Sequence, residues 1–255
     1  MPLKKRLDIL VVEKGLAPSR QKAQALIMAG QVCVDGQPIT KPGWPVKPLA
    51  EITAKSPPHP YVSRGGVKLA GALGHYGLDV ETQICLDVGA STGGFTDCLL
   101  QYGAARVYAV DVGYGQLAWS LRQDPRVLVI ERTNIRHMPQ EAVPEPISVV
   151  TIDASFISLK LVVPAVIKFM QPDASILALI KPQFEVGRDQ VGKGGVVRNR
   201  ELHQRVIADL TRHFIDIGLQ CAEPMRSPIK GPKGNIEYFI LAKLSHSAPR
   251  TAIKA

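Results

Sequence analysis

Between Ile84 and Asp97 the chain reads Ile-Cys-Leu-Asp-Val-Gly-Ala-Ser-Thr-Gly-Gly-Phe-Thr-Asp, an apolar run with an acid near its end followed by a glycine-rich turn into a helical stretch. A short apolar run of this kind predicts a strand buried on both faces, which belongs in a parallel sheet covered by helices. Gly89, Gly93 and Gly94 have no Cβ, so the turn can take up left-handed backbone angles and let a ligand approach closely. A second run, Arg106-Val-Tyr-Ala-Val-Asp111, ends in a carboxylate about 20 residues later, the offset at which an acid can accept hydrogen bonds from ribose hydroxyls. The turn Gly89-Ala90-Ser91-Thr92-Gly93-Gly94 lacks the Gly-x-Gly-x-x-Gly spacing of a dinucleotide site.

The alternation continues along the chain. Strand-like runs over 84–88, 106–111, 127–130, 148–152, 175–180, 219–223 and 236–243, the last an antiparallel candidate, are separated by helical stretches. They predict an α/β fold built on a mostly parallel, Rossmann-like sheet over residues 60–244. Residues 245–255 show no periodic apolar face and are expected to form a disordered tail.

Residues 1–59 predict a separate small α+β domain. Leu7, Leu10 and Val11 give a helix over 6–14 an inward face, and Gly15 stops it. Ser19 can cap a second helix over 20–28, with Ala23, Leu26 and Ile27 inward and Arg20, Gln21 and Gln24 on the wet face. After Gly30, Val32 and Val34 alternate with other residues up to Asp35-Gly36, a strong hairpin signal. From residue 41 to residue 60 proline crowds the chain, which predicts the end of this domain and a stiff linker.

The formal charge is +9, and residues 1–60 hold nine Lys/Arg against four Asp/Glu. More than half of the excess charge in a quarter of the chain points to a polyanion-binding module, because clustered cations bind phosphates by releasing counterions. Lys4, Lys5, Arg6, Arg20, Lys22 and, further on, Arg64 are the candidates to meet nucleic-acid phosphates. Hydrophobic content of 45% supplies a core, but no apolar run approaches the roughly 20 residues that span a bilayer. The opening Met1-Pro-Leu-Lys-Lys-Arg-Leu-Asp8 has no secretory pattern, so a cytoplasmic protein is expected. Cys33, Cys85, Cys98 and Cys221 form no Cys-x-x-Cys pair and have no histidine at zinc-ligand spacing, so they read as small reduced hydrophobes and no metal is expected.

In a doubly wound sheet the site opens beyond the carboxyl ends of the strands. Asp153 and Lys181 follow two of the predicted strands, Glu237 opens the antiparallel one, and Lys68 lies in Ser63-Arg-Gly-Gly-Val-Lys-Leu69 before the first. Asn134, after the third strand, is a candidate to contact an adenine. The glycine-rich, basic stretch 186–199 is expected to act as a mobile lid.

These blocks resemble known families. The turn at 89–94 resembles the first motif of S-adenosyl-L-methionine-dependent methyltransferases. That likeness implies that Asp87, Gly89, Ala90, Ser91, Gly93 and Gly94 hold the amino acid part of the cofactor and Asp111 its ribose. Arg6-Leu-Asp, Ser19-Arg20, Ala23, Ile27, Gly30 and Val32-x-Val34-Asp-Gly resemble the alpha-L RNA-binding module. The set Lys68, Asp153, Lys181, Glu237 resembles the catalytic tetrad of FtsJ-type ribose 2′-O-methyltransferases. Ser-Arg-Gly-Gly-Val-Lys, Asp-Ala-Ser-Phe-Ile-Ser and Lys-Pro-Gln-Phe-Glu are similar to blocks of the TlyA family, also labelled hemolysins. Nearly the whole chain is covered, and the resemblance implies methylation of cytidine 2′-hydroxyls in ribosomal RNA of the small and large subunits. Asp153-Ala-Ser-Phe is not the Asn-Pro-Pro-Tyr type used on exocyclic base amines, and no Pro-Cys pair offers a thiolate for cytosine C5.

Lys181 would serve as the base only if unprotonated. Burial, Lys68 and a sulfonium push its pKa down while Asp153 and Glu237 push it up, so both protonation states stay open. Two other classes compete with the enzyme: an RNA-binding assembly factor, for which the basic module alone would suffice, and a membrane-active hemolysin, which the lack of a spanning segment contradicts. Arg6-Leu-Asp8 also superficially matches a pseudouridine synthase active-site string, but its place ahead of any catalytic domain makes it a decoy.

Overall fold

The computed structural model describes residues 4–17, 19–54 and 59–244; the expected tail and residues 55–58 of the expected linker lie outside them. The chain divides into two compact units, residues 1–60 and 61–255.

The first unit runs β1 (Lys5–Arg6), α1 (Leu7–Glu13), α2 (Arg20–Met28), β2 (Val32–Val34), β3 (Gln37–Ile39), β4 (Pro45–Val46) and β5 (Ile52–Ala54). Ser19 caps α2 by accepting from Lys22 N, and Asp35 (φ 49°) and Gly36 (φ 77°) make the left-handed pair that closes the β2–β3 hairpin. The two helices bury Leu7, Leu10, Val11, Ala23 and Ile27 against Val32, Val46 and Ile52. Residues 41–54 are not a linker. β4 pairs with β1 and β5 pairs with β2, so two strands lie inside the proline-rich stretch. Pro45 is tolerated because a two-residue edge strand has few ladder bonds to lose. Gln24 also departs from the expected wet face: its amide donates to Asp8 Oδ2 at 2.8 Å.

The second unit runs α3 (Arg64–Tyr76), β6 (Ile84–Val88), α4 (Gly94–Gln101), β7 (Arg106–Val110), α5 (Trp119–Arg122), β8 (Val127–Ile130), β9 (Ile147–Ile152), α6 (Leu159–Val166), β10 (Met170–Ile180), α7 (Pro182–Glu185), α8 (Arg200–Asp216), β11 (Leu219–Cys221), β12 (Met225–Arg226) and β13 (Tyr238–Leu244). The sheet order is β11-β13-β10-β9-β6-β7-β8, with β12 also on β13. The five strands from β10 to β8 are parallel, and β13 is antiparallel to its neighbours. Successive residues feed opposite faces. Val149, Leu177 and Phe239 pack under α3 and α4, while Val150, Ile176 and Ile240 pack under α6 and α8.

From β6 the chain proceeds outward through β7 and β8, then returns to place β9 on the other flank of β6. That reversal opens a crevice at the carboxyl ends of β6 and β9, as doubly wound sheets do. The later part of the stretch 186–199 is hydrogen-bonded to the elements around it. Asn235 donates to Gly195 O and accepts from Val197 N, and His203 meets Val197 O at 2.9 Å.

Candidate functional site

A cleft of about 550 Å³ opens at this crevice. One wall is the turn after β6. Gly89 stands at φ 85°, and a Cβ there would lie 2.8 Å from the Asp153 carbonyl oxygen, so only glycine lets the turn approach the end of β9. Gly89, Ala90, Ser91 and Gly94 line the cleft, while Gly93 caps α4 from behind at φ 96°. Asp111 accepts from Ser91 N (2.8 Å) through one oxygen and from Gly113 N (2.6 Å) through the other. It therefore joins the turns after β6 and β7 and keeps lone pairs for a further donor.

Asp87 is corrected. Its carboxylate is fully buried and accepts from Thr96 Oγ1 at 2.7 Å and Thr151 Oγ1 at 3.0 Å, so it braces the glycine turn from below and presents nothing to the cleft. Burial pushes its pKa up to about 7, and Asp153 adds to the rise, against the two threonine hydroxyls. Asn134 is placed at the start of a short turn. Its side-chain oxygen accepts from Arg136 N, capping the short 3₁₀ turn at 135–137, and it does not line the cleft.

The opposite wall carries two lysine–carboxylate pairs. Lys68, on α3, donates to Glu237 Oε2 at 2.6 Å, and both side chains are buried. Lys181, at the end of β10, lies 2.6 Å from Asp153 Oδ1 and donates to Ser155 Oγ at 2.9 Å. Lys68, Asp153 and Lys181 face the cleft, and Glu237 stands behind Lys68. Residues 169 apart in sequence are thus joined because β13 inserts beside β10 and delivers Glu237 to the same sheet edge. Arg64 borders the cleft and donates to Lys230 O at 2.8 Å.

Three residues escaped the sequence reading. Ser155, which receives Lys181, lies inside the Asp-Ala-Ser-Phe block and is marked only by its neighbours. Phe156 stands 90% exposed at φ 62° beside it, with its ring 4.8 Å from that of Phe184. Gly231 gives Glu237 its room, since a Cβ there would meet both carboxylate oxygens.

In the first unit Lys4 and Lys22 are exposed, and Lys5 pairs with Glu13 at 2.9 Å. Arg6 grips Asp8 through Nε and Nη2, both at 3.0 Å, and Arg20 Nε reaches the same carboxylate at 3.0 Å. The Asp8 side chain is fully buried, and the Arg6 guanidinium, with Gln24 and Arg20, holds its carboxyl well below the usual range. Both arginines remain about half exposed, so Asp8 fixes them in place without covering them.

Family comparison agrees with this geometry. The FtsJ-like methyltransferase family model matches residues 61–244, and the S4 domain model matches residues 5–52. The chain belongs to the FtsJ-like methyltransferases. Within that class it is 48% identical over 241 residues to the 16S/23S rRNA (cytidine-2′-O)-methyltransferase TlyA of Mycobacterium tuberculosis, covering 94% of this chain and 90% of that one. It is 44% identical to Hemolysin A of Brachyspira hyodysenteriae, covering 92% of this chain and 98% of the relative. A solved structure from Streptococcus thermophilus, carried under a provisional hemolysin name, superposes with a TM-score of 0.75 at 42% identity, over 97% of this chain and 91% of that one. Among the described residues no helix is long and apolar enough to cross a membrane.

Proposed function

We propose that the chain is a cytoplasmic S-adenosyl-L-methionine-dependent methyltransferase acting on cytidine 2′-hydroxyls of 16S rRNA, 23S rRNA or both, within ribosomal subunits. The observation that carries this reading is the pair of lysine–carboxylate contacts, one buried and one at the cleft wall, facing the glycine turn across one cleft. The printed function of the Mycobacterium tuberculosis relative supports the choice of RNA and nucleotide.

The glycine turn, and Asp111 hydrogen-bonded to it from outside the cleft lining, suit the cofactor. The turn at 89–91 offers bare backbone where a Cβ at Gly89 would collide, and Asp111 retains acceptor capacity for ribose hydroxyls. S-adenosyl-L-methionine would supply an electrophilic methyl group. A ribose hydroxyl must lose its proton as it is methylated. An unprotonated Lys181 has two N–H groups and one lone pair. Ser155 Oγ and the Asp153 carbonyl oxygen accept the two N–H groups, which leaves the lone pair to take the hydroxyl proton, with Asp153 Oδ1 2.6 Å from the amine. Lys68, held by Glu237 at 2.6 Å, also borders the cleft. Cysteine chemistry on the base is disfavoured, because burial pushes the Cys85 and Cys98 thiols up to about 12.

The test is methyl transfer from radiolabelled S-adenosyl-L-methionine to 30S subunits, 50S subunits and free rRNA, with the labelled nucleotide mapped by nuclease digestion and mass spectrometry. Label on a 2′-O-methylcytidine is expected, and Lys181→Ala should lose it while still binding cofactor. Cofactor binding with no label on any RNA would sink the substrate assignment; no cofactor binding would favour an RNA-binding assembly factor.

A further inference from the structure

Two segments meet at the Lys181–Asp153 contact: residues 153–159, from the end of β9 to the start of α6, and residues 181–185, from the end of β10 through α7. At one end of their contact Lys181 reaches Asp153 and Ser155. Midway, the rings of Phe156 and Phe184 lie 4.8 Å apart. At the far end Glu185 bends back onto the start of α6, where Oε2 accepts from Ser158 Oγ at 2.6 Å and Oε1 accepts from Leu159 N at 2.9 Å. Ser158 meanwhile caps α6 by accepting from Lys160 N at 3.1 Å.

The 153–158 segment needs such anchoring. It has no helical or strand hydrogen bonds of its own, and Phe156 holds a left-handed φ of 62°, which is unfavourable for a bulky residue unless its surroundings fix it. Asp153 N, bonded to Val88 O at 2.9 Å, anchors the first end. Glu185 anchors the second, and it belongs to the helix that begins directly after Lys181.

We propose that Glu185 is a positioning residue for methyl transfer, latching the 153–158 turn to the turn of Lys181 so that Asp153 and Ser155 meet the Lys181 amine. This rests on the proposed methyltransferase reading. The latch requires two acceptors side by side, one for an amide and one for a hydroxyl. A glutamine can replace them, because its oxygen accepts from Leu159 N and its NH₂ donates to the Ser158 oxygen, whereas an alanine replaces neither. Glu185 does not reach the cleft wall, so its effect passes through the residues it holds.

The experiment compares the full-length wild type with Glu185→Ala, Glu185→Gln and Ser158→Ala, on whichever ribosomal RNA substrate the wild type labels. Glu185→Ala should lose about 10- to 100-fold in kcat, as misplacing a proton acceptor by an ångström does, with KM for RNA and Kd for S-adenosyl-L-methionine within about threefold of wild type. The pH at which kcat is half-maximal should move by about half a unit or more, because the partners of Lys181 have shifted. Glu185→Gln should keep kcat within about threefold and retain the wild-type profile, and Ser158→Ala should fall between. Hydrogen exchange at the Leu159 amide should quicken in Glu185→Ala and not in Glu185→Gln. A Glu185→Ala enzyme with wild-type kcat and pH profile overturns the proposal. So does a loss that follows the folded fraction with the pH midpoint unmoved, or an equal loss in the glutamine variant. Should Glu185→Ala fail to fold, Ser158→Ala and Glu185→Gln decide by the same readings. A wild type that labels no RNA overturns the functional reading instead, while the exchange rates still decide whether the latch exists.

Discussion

Gly231 lies so close to Glu237 that a Cβ would fall 2.9 Å from Oε2 and closer still to Oε1. Its backbone is ordinary, with φ −71°, so Gly231→Ala brings no backbone strain and acts only by pushing the carboxylate away from Lys68. Disturbing a buried pair costs more than losing an exposed one, because the displaced charge stays out of water. Methyl transfer should fall by about tenfold or more with cofactor affinity retained, by steady-state kinetics and calorimetry. Wild-type kinetics in this variant would mean that the Lys68–Glu237 alignment is not used. Asp87 allows a cleaner test by pH. Its folded pKa near 7 lies above the ordinary carboxylate value, so folding is favoured by proton uptake. The stability tied to this group is complete below about pH 4 and is lost as pH rises through 7. Asp87→Asn removes that titration, and its amide can still meet the hydroxyls of Thr96 and Thr151. Across pH 5 to 8.5 the Tm of the variant should gain on the wild type as pH rises; parallel curves would refute a raised Asp87.

α1 and α2 are joined at their polar edge by Asp8, on which Arg6, Arg20 and Gln24 converge. Asp8→Ala should destabilise the first unit by about 2 kcal/mol, since it removes several hydrogen bonds at a buried carboxylate but leaves two half-exposed arginines that water can solvate. Thermal unfolding followed by hydrogen exchange in residues 7–28 would register it, and an unchanged profile would show the cluster to be energetically idle. The Asp8 carboxyl is depressed, so its contribution is present above the ordinary carboxylate pKa and fades only in strong acid. Sequence periodicity could not disclose this cluster, because Asp8 falls on the inward face where an apolar residue is expected. The parallel strands were legible, as in Ile84–Val88 and Ile147–Ile152, because strands buried on both faces are nearly continuous apolar runs. Elements set by pairing were not. β4 and β5 lie among prolines, β12 has two residues, and β10 starts at Met170 rather than 175 through a register shift around Asp173. Lys68, Asp153, Lys181 and Glu237 could be picked out as residues, but their pairing depends on strand order, and Ser155 and Gly231 matter only through what they touch.

At the scale of the whole molecule the excess of +9 is unevenly placed, and internal ion pairs take up part of the charge of the first unit. Two of the four acids in residues 1–60, Asp8 and Glu13, are engaged with Arg6, Arg20 and Lys5. Lys4, Lys22, Lys41 and Lys47 have no ion pair among the described residues, so their charge is directed at solvent and at whatever polyanion arrives. In the second unit Arg64 stands at the cleft with its guanidinium fixed on Lys230 O. If these five side chains each neutralise one RNA phosphate, log affinity against log salt should fall with a slope of about −4, and raising salt from about 50 to 200 mM should cost about 100- to 500-fold in RNA affinity. Lys22→Gln with Lys47→Gln should make that slope shallower by about 1 to 2, because each phosphate contact contributes slightly less than one. Neither residue touches the cleft, so cofactor affinity should not change in that variant. The two quantities are measured on one intact chain, RNA by filter binding across a salt series and cofactor by calorimetry at each point. A slope near zero would mean that RNA is held by shape and base contacts and that the basic face serves another purpose. A steep slope unaffected by the double substitution would assign the phosphate contacts to other basic residues, Arg64 at the cleft among them.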